Sequence, residues 1–160
     1  MPMSGDDRGP NVPVPPPLVF LAVYVAAWLL NRRLEFLING SGAGAVQLVA
    51  GSAGLAAGTG LVGWAVVTLV RARTSIQPHR PARQLVTWGP YRFTRNPIYV
   101  GLVSAYLGFA LVRNEAWPLA LLPLVIATIS VAVIPREERY LGRTFPIEYE
   151  AYRQRARRWL

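Results

Sequence analysis

Two short polar clusters in this 160-residue chain gather groups that could act on a small molecule. The first runs from Gln84-Leu85-Val86 through Gly89-Pro90-Tyr91 to Arg95-Asn96-Pro97-Ile98-Tyr99, and the second is Arg136-Glu137-Glu138-Arg139-Tyr140. Together they offer carboxylates, guanidiniums, amides and phenols, the side chains that hold ions, exchange hydrogen bonds and move protons. What is missing excludes other chemistry. There is no cysteine, hence no disulfide, no thiolate metal site and no thiol nucleophile. One histidine, His79, is too few for a histidine-based zinc or iron centre, and no metal is expected.

Each cluster also has an ordinary structural reading. Asn96 and Pro97 fit a helix start, the asparagine as N-cap and the proline at the first helical position. Glu137 and Glu138 follow Pro135 and fit the first turn of a new helix, where the dipole favours acids. Tyr149 and Tyr152 fit anchors at a membrane–water interface. Gly58-Thr59-Gly60-Leu61-Val62-Gly63 spells G-x-G-x-x-G, but the dinucleotide fingerprint needs a preceding strand and an acid about 20 positions on. The next acid here is Glu115. Close helix packing through small residues, with Gly54 and Gly58 at GxxxG spacing, is the expected role.

The elements that must carry these clusters follow from where the charges sit. Charged residues make up only 16% of the chain, and all the basic ones are arginine, giving a net charge of +9. No charge falls between Arg8 and Arg32, Glu35 and Arg71, Arg95 and Arg113, or Glu115 and Arg136. A helix crossing a hydrocarbon core of about 30 Å needs roughly 20 apolar residues. The expectation is an all-α polytopic membrane protein forming one domain. It would have a flexible N-terminus (1–12), four transmembrane helices near 13–30, 47–70, 97–112 and 116–134, and a cytoplasmic tail over 136–160. Only Arg113, Asn114 and Glu115 separate spans three and four, so these form a tight hairpin. Pro123 lies deep enough to kink span four. The first span lacks a basic n-region and a cleavage site, so it is not read as a signal peptide.

Arginine counts orient the bundle. The segment 71–95, the tail from Arg136 and Arg8 together hold fourteen, against three (Arg32, Arg33, Arg113) in the two opposite loops. Both termini are therefore expected in the cytoplasm. From Pro146 the tail reads as an amphipathic helix with Tyr149, Tyr152, Ala156 and Trp159 on one stripe, suited to anionic lipid headgroups. Arginines divided among membrane-proximal segments do not make a nucleic-acid-binding surface.

The two clusters, in this order and flanking a hydrophobic hairpin, resemble the isoprenylcysteine carboxyl methyltransferase family and its relatives among integral-membrane and phospholipid methyltransferases. That family's hallmark is G-x-Y, then R-H-P-x-Y-x-G, a hairpin, and E-E-x-x-L-x-x-x-F-G-x-x-Y-x-x-Y. The resemblance covers residues 84 to about 158. It implies S-adenosylmethionine as cofactor, with contacts on Arg83, Gln84, Leu85, Val86, Tyr91, Asn96, Pro97, Ile98, Tyr99 and Glu137. Tyr91 and Tyr99 would offer aromatic faces to an adenine or a sulfonium. Glu137 would pair the cofactor's ammonium or bind its ribose hydroxyls.

Two departures bear on what is methylated. The family histidine is Asn96, which keeps hydrogen-bonding capacity but cannot titrate. The arginine that prenylcysteine-methylating members carry four residues before the first glutamate is Val133 here, and Arg136 is expected to stand in for it as the clamp of an anionic acceptor. Glu138 is the nearest base for an amine acceptor. The resemblance thus implies carboxyl O-methylation of a lipid-like acceptor reaching the site from the bilayer. Phospholipid amine N-methylation and a non-catalytic membrane scaffold are the alternatives.

Overall fold

The computed structural model describes residues 14–74 and 82–160, and they are all-helical. The expectations placed on residues 1–13, on His79 and on Arg80 fall outside the described residues. Helices α1 (Pro16–Arg33), α2 (Ala45–Arg71), α3 (Pro97–Arg113) and α4 (Ala116–Thr128) follow the four apolar stretches. Helix α4 runs through a π-helical segment, Ile129–Val133, into α5 (Ile134–Thr144), and α6 (Pro146–Arg155) follows. Two helices, Ala45–Arg71 and the continuous Ala116–Thr144, are long and apolar enough to cross a membrane. Helix α3 is shorter at 17 residues, and α1 closes on Asn31-Arg32-Arg33. Val46, Val49 and Val131 turn their side chains outward, the arrangement of helices whose solvent is lipid rather than water.

The contact between α2 and α3 is built from residues too small to keep the backbones apart. A Cβ added to Gly58 would meet Ala105 N at 2.4 Å and Gly101 O at 2.5 Å, and one on Gly108 would meet Leu55 N at 2.3 Å. Ser104 Oγ donates to Gly54 O across the same seam (2.9 Å). The packing role expected of the G-x-G-x-x-G stretch therefore holds for Gly58. It does not hold for Gly60 and Gly63, which have no heavy atom within 4 Å of an added Cβ.

Arg113 ends α3 and Ala116 starts α4, so the hairpin is as tight as its three polar residues imply. Asn114 turns the chain at φ 56°, a left-handed conformation that asparagine tolerates. Its side-chain amide donates to Asn39 O (2.7 Å), and its side-chain oxygen accepts from Gln47 (2.9 Å). Ala116 N donates to Phe36 O (2.8 Å), so the α1–α2 and α3–α4 loops meet at one end of the bundle. Both polar clusters lie at the other end.

Two expectations about the tail are corrected. The stripe of Tyr149, Tyr152 and Ala156 is buried against α2 and the Val86–Tyr91 segment, not laid on a membrane surface. Helix α6 also stops at Arg155, so Ala156 and Trp159 belong to an extended terminal segment. That segment runs back beside the start of α3: Arg95 N donates to Arg157 O (2.8 Å), and Trp159 packs on the core that includes Tyr99, Val133 and Ile134.

Candidate functional site

At the arginine-rich end, α1, α2, the segment leading into α3, α5 and α6 surround a cavity of about 450 Å³. Nine of the ten residues assigned to a cofactor line it: Gln84, Leu85, Val86, Tyr91, Asn96, Pro97, Ile98, Tyr99 and Glu137. Glu138 lines it too. Arg83 does not; it is exposed, and its backbone N–H donates to Thr74 Oγ1 (3.1 Å). Arg136 also lies outside the lining, and its Nη1 donates to Ala132 O on its own helix (2.8 Å).

The turn chemistry explains how the first cluster is presented. Gly89 sits at φ 63°, and a Cβ there would meet Thr68 Oγ1 at 2.9 Å, so only glycine fits before the 3-10 turn Gly89–Arg92. That turn buries Tyr91, whose carbonyl accepts from Tyr152 O–H (2.7 Å). Burial pushes both phenols up, so each stays a neutral donor at physiological pH. Gln84 is fixed from its side chain, which donates to Ala72 O. Pro97 stands at the first position of α3, as a helix start requires. Asn96 occupies the N-cap position without capping; its Nδ2 donates instead to Arg158 O (2.7 Å).

The two glutamates are in different electrostatic situations. Glu137 accepts from Tyr99 O–H (2.7 Å) and has no ion-pair partner among the described residues. It lies beyond the apolar stretch that ends at Ile134. Withdrawal from water raises its carboxyl, and the Tyr99 hydrogen bond offsets this only in part, leaving it pushed up to about 7. Glu138 is clamped by two guanidiniums, Arg95 Nη1 at 3.0 Å and Arg158 Nη2 at 2.5 Å. That carboxylate is already occupied by two cations, each within ion-pair distance. Of the two, the carboxylate named as a base from the sequence, Glu138, is the ion-paired one.

Two basic residues at the site were given no role from the sequence, although Arg95 belongs to the first cluster. Arg95 lines the cavity with its side chain 13% exposed, and Arg158 reaches Glu138 from twenty residues downstream. Arg95 carries a signal in hindsight, since it directly precedes the Asn96-Pro97 helix start. Arg158 carries none, because a tail arginine reads as a topology charge until the chain folds back.

The opposite wall is apolar, made by the Pro15–Pro17 run, Val62, Val66, Leu69 and Leu102. The cavity thus brings two carboxylates and an arginine together with apolar residues of α2, α3 and the start of α1. Among the described residues, no group of three or more histidines and acids is placed to hold a metal ion.

The family model described as phospholipid methyltransferase matches residues 46–148, a span that includes the small-residue seam and both glutamates. A nickel-cobalt-cadmium resistance protein of Alcaligenes xylosoxydans xylosoxydans is 36% identical over 76 residues, which are 48% of this chain and 35% of that protein. A cobalt-zinc-cadmium resistance protein of Cupriavidus metallidurans is 33% identical over 97 residues, 60% of this chain and 44% of that protein. The chain therefore spans less than half the length of these relatives. No solved structure matches it.

Proposed function

The chain belongs to the phospholipid methyltransferase family, and from that premise we propose that it transfers a methyl group from S-adenosylmethionine to a lipid-like or membrane-anchored acceptor. The observation that carries this reading is the convergence of three separate segments, 84–91, 95–99 and 137–138, on one cavity of about 450 Å³. Small-molecule sites occupy about 300–1,000 Å³, and the residues present suit this cofactor. Glu137 offers a carboxylate to an ammonium or to ribose hydroxyls, and Tyr91 and Tyr99 line the same space with aromatic rings. When bound, S-adenosylmethionine supplies an electrophilic methyl group on a sulfonium.

The chain's own part is alignment and exclusion of water. Val62, Val66, Leu69 and Leu102 form a wall continuous with the membrane helices, along which an acceptor with a hydrocarbon tail can reach the polar end. A carboxylate acceptor needs no base, and orientation beside the donor lowers its barrier, as does loss of its hydration shell. This favours O-methylation of the isoprenylcysteine carboxyl type. Amine methylation of a phospholipid is the second reading, and Glu137 favours it. A carboxyl titrating near 7 can take the proton that an ammonium must lose before it attacks.

The cavity end is assigned to the cytoplasmic side, where exposed Arg92, Arg143 and Arg155 can face anionic headgroups. The test is incubation of the purified full chain with methyl-labelled S-adenosylmethionine and a total lipid extract. A labelled lipid is expected, with base lability marking an ester and base stability an N-methyl product. No labelled lipid, together with no binding of S-adenosylhomocysteine, would overturn the reading and leave a membrane scaffold.

A further inference from the structure

The clamp once expected of Arg136 is better served from another element. Arg95 borders the cavity, its guanidinium is largely removed from water, and its Nη1 is pinned to Glu138 Oε1 at 3.0 Å. Its Nε is buried and has no acceptor among the described residues. A buried donor left unpaired is costly, and a guanidinium held by one corner still has its Nε–Nη2 edge to offer. Glu138 does not neutralise the region alone, because Arg158 binds it through Nε (3.1 Å) and Nη2. Two guanidiniums share one carboxylate, and Glu137 is drawn toward its neutral form. The polar end of the cavity therefore carries surplus positive charge beside an arginine with unused hydrogen-bonding capacity.

We propose that Arg95 is the anion-binding residue of this cavity, gripping a carboxylate or phosphate of the bound donor or acceptor while Glu138 and Arg158 hold it in place. The proposal rests on the methyltransferase reading for the identity of those ligands. Its physical content is local: a planar fork, fixed at Nη1, presents its remaining edge to oxygen pairs, and lysine cannot reproduce that geometry. Glu138 and Arg158 are positioning residues here, since they act through Arg95.

The test uses the full chain in detergent, with Arg95→Gln and Arg95→Lys. Either variant leaves Glu138 paired with Arg158, so the acid is not stranded. Three probes are compared: S-adenosylhomocysteine, 5′-methylthioadenosine (the same nucleoside thioether without the amino-acid ammonium and carboxylate) and inorganic phosphate against chloride at equal ionic strength. If Arg95 holds the donor's carboxylate, Arg95→Gln weakens S-adenosylhomocysteine by roughly ten- to a hundredfold and leaves methylthioadenosine unchanged. If it holds the acceptor's anion, both nucleosides bind as before. Phosphate then raises the unfolding midpoint of the wild type saturated with S-adenosylhomocysteine, but not that of the variant. Arg95→Lys should fall between wild type and Arg95→Gln, and it decides by the same criteria where the glutamine variant does not fold. Unchanged nucleoside affinities together with an unchanged phosphate effect would overturn the proposal. Should neither nucleoside bind the wild type, the methyl-donor reading fails, and phosphate alone still decides whether Arg95 makes an anion site.

Discussion

Glu137 and Glu138 are chain neighbours with opposite fates, and the difference lies in what faces them. Glu138 meets two guanidiniums, whereas Glu137 meets the Tyr99 hydroxyl and a wall that is mostly apolar. Because the Glu137 carboxyl is raised to about 7, its charged fraction grows as pH rises through neutrality. A cationic ligand group that pairs with it should therefore bind more tightly at higher pH. Between about pH 6 and 8 the affinity for S-adenosylhomocysteine is expected to increase roughly five- to tenfold. In Glu137→Gln it should be weaker and flat across that range. Calorimetry at several pH values checks this, and a variant keeping the wild-type slope would assign the titration to another group. The carboxylate pair itself was legible in the sequence. Which member stays free was not, because the guanidiniums that decide it come from residues 95 and 158, brought together only by folding.

At the scale of elements, the seam between α2 and α3 follows from composition, but its phase around the helix does not. Gly58 lies against Gly101 and Ala105, while Gly60, two residues on, faces outward with open space. Gly58→Ala must push two backbones apart and should destabilise by about 1–3 kcal/mol, the usual cost of overpacking. Gly60→Ala should be neutral or stabilise by up to about 1 kcal/mol through better helix propensity. Thermal unfolding of the two variants in detergent separates them, and equal effects would refute the assignment of faces. Four apolar helices and the three-residue hairpin were readable from charge-free stretches and their separators. The π-helical turn at Ile129–Val133 was not readable. It falls just before Pro135, which has no N–H to give an α-helical ladder. A widened turn accommodates an extra residue, so side chains beyond it are rotated relative to an unbroken α-helix. Projecting Arg136 onto the neighbourhood of Val133 along an unbroken α-helix leaves this rotation out. The Tyr149–Tyr152 stripe was likewise correctly placed on one face, but spacing alone cannot tell whether a face meets lipid or protein.

For the whole molecule, the two arginine-poor loops join at one end, and the cavity sits at the arginine-rich end. With the positive end inside, a reporter active only outside the cytoplasm should stay silent when fused after Leu160, and a strong signal would invert the orientation. The same end is tied together by the last residues of the chain. Arg157 and Arg158 are adjacent, both exposed and both arginine, so as topology charges they are interchangeable. The fold treats them differently. Arg157 contributes its carbonyl to Arg95 N–H (2.8 Å) and a bridge to Thr94, both made by backbone. Arg158 contributes its side chain to Glu138, and its carbonyl accepts from Asn96 (2.7 Å) and Thr94 Oγ1 (3.2 Å). Arg157→Gln should therefore leave the affinity for S-adenosylhomocysteine at the wild-type value. Arg158→Gln releases one side of Glu138 and lets the Arg95–Glu138 pair shift, so where Arg95 holds the donor's carboxylate binding should weaken several-fold while membrane insertion is unaffected. Arg158→Lys should recover part of the loss, because an ammonium can still pair Glu138 but cannot match its two oxygens with a fork. Titrations of the three variants beside the wild type give the ranking directly. Equal losses in the Arg157 and Arg158 glutamine variants would mean that the tail acts only through its net charge, and the ordered path from Arg158 through Glu138 to Arg95 would have no functional part.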